Sequence, residues 1–198
     1  MTQQIKNIYV VVEGSSEKSF FTKLNSYCAQ MDIPVSFKIE NAEGHTLKKV
    51  LAAVKRAGTK IKKDIRGVLT ADVMVFLDYD VFKRGEDIAP YNARLKRLYF
   101  FEYSFEDFLV SLLPDAQNQQ WAQICEQQGH YQMPMNAVAV ETHIKTIFPN
   151  YRKGDCPLCE ISKEHIQRMR KDHFREDISH AELLLLKYLL FPCPSQKD

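Results

Sequence analysis

The clearest feature of the chain is a set of short apolar runs that alternate with longer segments of helical periodicity. Ile8 to Val12 and Val73 to Leu77 are continuous apolar runs rich in β-branched residues. Such runs are typical of strands that are buried on both faces of a parallel sheet. Val35 to Glu40 instead alternates apolar and polar residues, which indicates a strand near a sheet edge. The pattern predicts four strands, at about 7–12, 35–40, 73–78 and 98–103.

The segments between these strands carry apolar residues at the three- and four-residue spacing of a helix. Within residues 16–30, for example, Phe20, Leu24 and Tyr27 share one face. A second helix is predicted from about His45, and Gly58 is its expected end. Strand and helix therefore alternate, which predicts an α/β fold with a mainly parallel sheet flanked by helices.

The order of elements divides the chain into three parts within a single domain. Residues 1–113 are expected to form the α/β core, and residues 114–150 a helical insertion. Residues 151–198 would carry a lysine-bearing loop and helices that pack on the core. Two helices are predicted there, from about 161 to 174 and from 179 to 190. The leucines of the last helix would dock on the core or on a partner.

The insertion is polar and rich in glutamine around Trp121, and it contains a predicted helix from Ala137 to Phe148. We interpret it as one wall of a cleft. Its histidines, His130 and His143, are expected at the surface rather than as metal ligands. The insertion carries no motif that indicates a particular chemistry.

The link between the first strand and the first helix has the composition of a tight turn. Gly14 permits a positive φ angle, and Ser15 and Ser16 are good N-cap residues. Glu17 falls in the first helical turn, near the positive end of the helix dipole. On these grounds alone, Glu17 would be a capping residue and Glu13 a solvated carboxylate.

A second pair of acids changes this interpretation. Asp78 and Asp80 follow the other buried run and would share one face of a strand. Glu13 ends its strand in the same way, at the edge where open α/β sheets place their sites. Gathered carboxylates lose hydration and repel one another. A hard divalent cation such as Mg²⁺ neutralises such a cluster, so the sequence predicts a metal site here.

The order of these acids resembles a known domain. Glu13 and Glu17 flank a glycine after one strand, and Asp78 and Asp80 follow a later strand, as in the TOPRIM domain of topoisomerases, bacterial primases and OLD-type nucleases. Residues 105–109, with the sequence Phe-Glu-Asp-Phe-Leu, are similar to a later landmark of the small nuclease subunits called RloB-like.

The segment Tyr151 to Lys153 is similar to a further RloB-like landmark, so that the resemblance spans about residues 5–155. It implies a Rossmann-like TOPRIM fold and metal-dependent cleavage of phosphodiesters in DNA or RNA. It also implies a partner ATPase and a role in a prokaryotic anti-phage or restriction-like system. Because the chain lacks a Walker A loop, any nucleotide-driven step would need that other subunit.

The resemblance also assigns roles to individual residues. Glu13, Asp78 and Asp80 would hold one Mg²⁺ or Mn²⁺, and Glu17 and Glu106 would be placed for a second ion. Two ions can activate the attacking water and stabilise the leaving oxygen.

Three assignments near these acids stay open. Glu102 is a rival to Glu106 as the later acid. Asp107 can act with Ser104 as a reciprocal helix cap. Lys153 would assist phosphate chemistry by the resemblance, because a cation stabilises charge that develops at phosphorus, but it could equally be an ordinary surface lysine.

Basic residues are concentrated in parts of the chain, although the net charge is only +2. They crowd residues 48–66, 83–97 and 168–175. Bases around acidic strand ends suit a metal site that meets a phosphate backbone, while many of them could equally be solvated helix faces. The candidate nucleic-acid contacts are Lys83, Arg84, Arg152 and Lys153.

Cysteine usage and hydropathy bear on the compartment. The five cysteines are odd in number and dispersed, and neither a signal peptide nor a membrane-spanning run is seen, so a cytoplasmic protein is expected. Cys156 and Cys159 could hold zinc together with His165 or His173, or act in redox chemistry. A single CxxC motif is weak evidence for either, and a tight turn with partly buried thiols is the preferred interpretation.

Three other functions remain compatible with the sequence. The chain could be a catalytically inactive TOPRIM-fold scaffold that docks on a partner, and oligomerisation is equally open. Primases and topoisomerases share the metal chemistry, but this chain is short, and nothing marks a nucleophilic tyrosine among its nine. A protein that binds a phosphorylated small molecule is the last alternative.

Overall fold

The computed structural model of the chain describes residues 5–64, 73–95, 97–101 and 103–169, and these residues form an α/β fold. The four strands are β1 (Lys6–Val12), β2 (Val35–Asn41), β3 (Val73–Asp78) and β4 (Leu98–Phe101). They are all parallel and lie in the order β2-β1-β3-β4. The predicted strands and the predicted mainly parallel sheet are therefore confirmed.

Eight helices connect and follow the strands in the described part of the chain. They are α1 (Ser15–Gln30), α2 (Leu47–Asp64), α3 (Asp80–Lys83), α4 (Ala89–Arg94), α5 (Phe105–Ser111), α6 (Asp115–Gln127), α7 (Ala137–Ile144) and α8 (Lys163–Arg168). None of them is long and apolar enough to cross a membrane. The predicted helix at 161–174 is confirmed in part by α8, and its residues beyond 169 lie outside the described residues, as does the whole predicted helix at 179–190.

The sheet is buried on both faces because its strands alternate their side chains between two apolar cores. From β1, Ile8, Val10 and Val12 enter one core, while Tyr9 and Val11 enter the other. The first core also holds α1 and the described helices after β4, including Trp121 and Cys125 of α6. The second core holds the apolar faces of α2 and α4. Helices therefore cover both faces of the sheet.

Two local predictions were wrong. Helix α2 does not end at Gly58 but continues to Asp64, because Ala53, Ala57 and Ile61 carry one apolar face through the glycine and are fully buried. The segment after Asp80, expected to be a loop, begins with the short helix α3.

Candidate metal centre

A cleft of about 590 Å³ opens at the carboxyl edge of the sheet, and six acidic side chains line it. Five of them come from the ends of β1 and β3 and from the first turns of α1, α3 and α5, and the sixth is Glu141 of α7. All five predicted metal ligands are among them: Glu13, Glu17, Asp78, Asp80 and Glu106.

The register between β1 and β3 explains why two of these acids meet. Val12 pairs with Phe76, so Glu13 and Asp78 follow at the same edge. Oε2 of Glu13 lies 3.5 Å from the backbone nitrogen of Asp78, which donates to it. The chain then turns at Tyr79, which has helical dihedral angles. Asp80 therefore reaches the cleft from the first turn of α3, and not, as predicted, from a shared strand face.

The turn into α1 differs from the predicted one. Gly14 has a φ of −137°, which other residues also adopt, so no positive φ is needed. A Cβ atom at Gly14 would instead lie 3.1 Å from Oε2 of Glu17, and the glycine leaves room for that carboxylate. Gly14 is itself the N-cap and offers no side-chain acceptor, while the Glu17 carboxylate accepts from the backbone of Gly14 and of Glu17 itself. The predicted capping role of Ser15 and Ser16 is therefore wrong, and the hydroxyl of Ser16 accepts a hydrogen bond from Gly154 (3.1 Å).

Glu106 enters the cleft from the first turn of α5. The Tyr151 hydroxyl donates a hydrogen bond to its Oε1 at 2.7 Å. Tyr151, from the segment 151–153 that resembles one RloB-like landmark, thus contacts Glu106, from the segment 105–109 that resembles another. The rival acid, Glu102, lies outside the described residues.

Burial makes the charged forms of these acids unfavourable. It raises the pKa of Glu17 to about 8, and the charges of Glu13 and Glu106 add to this rise. It also raises the pKa of Asp78 well above its ordinary value, with further contributions from neighbouring carboxylates. The pKa of Glu106 is raised by burial despite the hydrogen bond from Tyr151.

The two remaining acids have cationic neighbours, yet their pKa values rise as well. Burial raises the pKa of Asp80, although Arg84 forms an ion pair with it at 2.9 Å. Burial likewise raises the pKa of Glu13, although His45 opposes this shift. If all five acids were ionised, the cluster would hold more negative charge than its protein partners neutralise.

The donor set fits a hard divalent cation. Oδ1 of Asp78 is buried and has no hydrogen-bond partner among the described residues, as expected of an atom that contacts a bound ion. No three of the acids bring their oxygens within 4.8 Å of one another, so they surround a space rather than form a tight cage. Mg²⁺ tolerates this arrangement, because it usually keeps several of its waters, and further carboxylates can bind the ion through them.

His45 is a cleft residue that the sequence analysis missed. Its Nδ1 lies 3.5 Å from Oε1 of Glu13, and its Nε2 lies 3.5 Å from Oε2 of Glu86. Gly44, with a φ of +134°, turns the chain there and donates from its nitrogen to the Glu13 carbonyl. The Tyr91 hydroxyl contacts both the His45 carbonyl and Glu86. The rule that sites follow strand ends would have found His45, which comes soon after β2.

The predicted basic contacts separate into two groups. Arg84 and Lys153 line the cleft. The ammonium of Lys83 instead lies 3.7 Å from the ring centroid of Tyr103 and donates to the Tyr131 carbonyl. Arg152 is exposed and does not belong to the cleft lining.

His130 is fully buried, so its predicted surface position was wrong. Its Nδ1 accepts from the backbone of Met135 (2.9 Å), and its Nε2 lies 3.0 Å from Oδ2 of Asp107. The hydrogen bond from Met135 requires an unprotonated Nδ1, so Nε2 carries the proton and donates to Asp107.

Asp107 forms only one of the two hydrogen bonds of the expected capping box, and its carboxylate accepts hydrogen bonds from other side chains. Its nitrogen donates to the Ser104 hydroxyl, but its carboxylate accepts from that hydroxyl instead of the N-cap backbone. Trp121 donates to Oδ1 at 2.8 Å. Burial would raise the pKa of Asp107, but the hydrogen bonds of His130, Ser104 and Trp121 together lower it.

Asp107, Cys125 and His130 lie close enough to suggest a metal site. Both imidazole nitrogens and both carboxylate oxygens already have protein partners. Burial raises the pKa of the Cys125 thiol to about 12, which opposes thiolate ligation. We interpret this group as a buried hydrogen-bond network.

The CxxC motif has the character of a turn. Cys156 is buried, and burial raises its pKa to about 11, which disfavours the thiolate needed for metal binding or redox attack. No third ligand in the described part of the chain forms a compact group with Cys156 and Cys159. His165 caps α8 through its Nδ1, and His173 lies outside the described residues.

Comparisons of the chain with protein-family models, curated proteins and solved structures find no match in any of the three. The structure gives an α/β fold with an all-parallel described sheet. Membership of the TOPRIM or RloB-like families remains a prediction from the motifs.

Proposed function

We propose that the chain is a divalent-metal-dependent nuclease of the TOPRIM type. One observation carries the proposal: acids that are far apart in sequence converge on one cleft, where Oδ1 of Asp78 is buried and has no hydrogen-bond partner in the described part of the chain. Gathering charges in this way is unfavourable unless a cation compensates them. Catalysis of phosphoryl transfer supplies a reason for keeping such a cluster.

Glu13, Asp78 and Asp80 are the residues that would hold the first Mg²⁺ or Mn²⁺, and Glu17 and Glu106 would hold a second. A bound ion supplies Lewis-acid stabilisation of the phosphate oxygens and makes water a stronger nucleophile. Hydrogen bonds from Asp78 to Glu13 and from Tyr151 to Glu106 orient two of these carboxylates.

Other side chains would bind the substrate and move protons. Burial raises the pKa of Glu17 to about 8 in the metal-free protein, so binding of a cation to this carboxylate would release a proton near neutral pH. Lys153 lines the cleft, where its ammonium can oppose charge on the scissile phosphate. Arg84 offers a second cation, already paired with Asp80.

The substrate in this proposal is a phosphodiester backbone of DNA or RNA. The motif resemblance adds a partner ATPase, a cytoplasmic location and a role in prokaryotic defence against phage or foreign DNA. These additions rest on the resemblance alone.

A catalytically inactive scaffold is the second candidate. It is favoured by the spacing of the acids, since no three of the described carboxylates approach within 4.8 Å. In that case the cleft would be retained as part of the fold, and docking on a partner would be the function.

The test is nucleic-acid cleavage by the purified protein, alone and with a partner ATPase if one is identified. Single- and double-stranded DNA and RNA should each be offered with Mg²⁺ and with Mn²⁺. We expect Asp78→Asn and Asp80→Asn to lose roughly a thousandfold in rate, because several kcal/mol of charge stabilisation disappear. Lys153→Ala should slow turnover with metal binding largely intact.

Matched variants provide the controls. Asp115 is exposed at the start of α6 and outside the cleft, so Asp115→Asn should cleave at the wild-type rate. Cys156→Ser and Cys159→Ser should also retain the chemical step. An Asp78→Asn protein with wild-type cleavage would overturn the nuclease proposal in favour of the scaffold.

A further inference from the structure

The segment that carries Lys153 packs along one face of α1. Three polar residues of α1, Ser16, Ser19 and Lys23, are spaced by three and four positions and therefore lie on one side of the helix. Each of them contacts the segment Lys153 to Leu158, which we name the Lys153 loop.

The first anchor lies directly beside Lys153. The Gly154 nitrogen donates to the Ser16 hydroxyl at 3.1 Å. Gly154 has a φ of +91°, which favours glycine, and a Cβ atom there would lie 3.7 Å from Cβ of Ser15. The chain thus reverses against the start of α1 one residue after Lys153.

The second anchor holds the far end of the loop. The ammonium of Lys23 donates to the carbonyls of Cys156 (2.8 Å) and Leu158 (2.6 Å) and lies 3.9 Å from Oδ1 of Asp155. These three acceptors match the three donors of an ammonium group. Ser19 also donates to Asp155. The first and third residues of the CxxC motif therefore present their backbone carbonyls to Lys23.

Helix α1 also carries Glu17, which follows Ser16 in the sequence and whose side chain lines the cleft. One helix thus fixes a carboxylate of the candidate metal centre and the loop that bears its lysine. A rigid element that positions two reacting groups limits their relative movement, and a misplacement of about 1 Å can cost about a hundredfold in rate.

We propose that Ser16 and Lys23 are positioning residues that hold Lys153 at the metal centre through the Lys153 loop. The proposal rests on the nuclease function proposed above. It assigns no chemical step to either residue, because both contact the loop.

The principal experiment is a double-mutant cycle between Ser16→Ala and Lys153→Ala. Cleavage of nucleic acid by Ser16→Ala should show kcat lowered by about ten- to a hundredfold, with a smaller change in KM. In the Lys153→Ala background, Ser16→Ala should have almost no further effect, because the lysine that it positions is gone. Ser16→Thr keeps a hydroxyl acceptor and should restore most of the rate.

Lys23→Met provides an independent variant at the other anchor and should show the same dependence on Lys153. Controls come from exposed positions of the same helix, Ser26→Ala and Lys18→Met, which should leave kcat unchanged. Fully additive losses in the double mutant would overturn the proposal, since a general destabilisation would act with or without Lys153.

Amide hydrogen exchange separates this proposal from the nuclease function itself. The Gly154 amide should be protected in the wild type and should exchange faster in Ser16→Ala, without any change in exchange within β1. Unchanged Gly154 exchange would refute the anchor whatever the activity. A wild type that cleaves no nucleic acid would remove the catalytic role together with the proposed function, while the exchange data would still decide whether α1 holds the loop.

Discussion

Individual carboxyl groups determine the electrostatics of the cleft, because the partners of each group do not compensate the hydration that its charged form loses on burial. Glu17 is only 5% exposed, and its pKa is raised to about 8. Asp78 keeps one oxygen without a partner in the described structure. A protein whose acids were needed only for folding would gain stability by replacing them with amides. The buried acids therefore lower the free energy of unfolding, and metal binding would offset this loss.

The pH dependence of stability follows from the raised pKa of Glu17. The unfolded chain ionises this residue near 4.5, while the folded metal-free protein keeps it protonated up to about 8. Between these values the folded state binds more protons, so the free energy of unfolding falls as pH rises, by up to about 1.4 kcal/mol per pH unit. Urea unfolding of metal-free protein at pH 5, 6.5 and 8 should show this loss, and Glu17→Gln should reduce it to the part that the other buried acids contribute.

The matched control for this measurement is Glu126→Gln, since Glu126 is exposed on α6. That variant should keep the wild-type slope. If the wild type were equally stable at pH 5 and pH 8, the proposed burial of protonated Glu17 would be wrong.

Helix α5 shows how one element serves two purposes. Its consecutive residues Glu106 and Asp107 point to different surroundings, the first into the cleft and the second into a network with Trp121 and His130. Ser104 is the N-cap of the helix, and its hydroxyl bonds to Asp107. The network fixes the start of α5 and so the place from which Glu106 enters the cleft.

Removal of Asp107 should therefore destabilise the protein strongly. Asp107→Ala leaves buried donors on His130, Trp121 and Ser104 without acceptors, and we expect a loss of about 2–4 kcal/mol in the free energy of unfolding. Asp115→Ala removes an exposed carboxylate that pairs with Arg168 and should cost less than about 1 kcal/mol. Urea denaturation of both variants tests this, and equal losses would contradict the network.

At the level of elements, most of the fold could be predicted from periodicity, because buried strands and amphipathic helices have distinct patterns. The acids could be found because each follows a strand or begins a helix at one sheet edge. The contacts made by hydroxyls and imidazoles could not be found in this way. His130 and Ser16 have ordinary local surroundings in sequence, and their roles depend on partners 23 and 138 residues away.

The end of α2 illustrates a different failure. Gly58 is a common helix terminator, yet burial of Ala57 and Ile61 in the second core outweighs its low helix propensity of about 1 kcal/mol. Likewise Gly14 was assigned a turn conformation, whereas its role is space for Glu17. The sequence shows that Gly14 is small, but only the packing shows that the Glu17 carboxylate occupies the space beside it.

The proposed metal binding would be coupled to folding of the whole molecule, because the acids come together only in the assembled sheet. A cation that binds only the folded state stabilises it by about 2.7 kcal/mol at a hundred times its Kd. For a chain of 198 residues this corresponds to a rise in Tm of about 5–10 °C. Calorimetry with Mg²⁺ or Mn²⁺ at pH 8 should show this rise.

The double variant Asp78→Ala, Asp80→Ala is the control for that experiment. It should melt higher than the wild type without metal, since it relieves burial and repulsion of charge, and it should respond little to either ion. If both proteins gave the same Tm with and without metal, the cluster would not be a metal site.

The hydrogen bond between Trp121 and Asp107 allows intrinsic tryptophan fluorescence to report on the start of α5. The chain contains one tryptophan, and it is 4% exposed, so all indole emission comes from the buried side of α5. Glu106 lies next to Asp107 in the chain, and an ion that draws Glu106 inward would shift the environment of the indole ring through that helix. Fluorescence titration with Mg²⁺ or Mn²⁺ can thus follow occupancy of the cleft in unlabelled protein, while the larger red shift on unfolding identifies loss of the core.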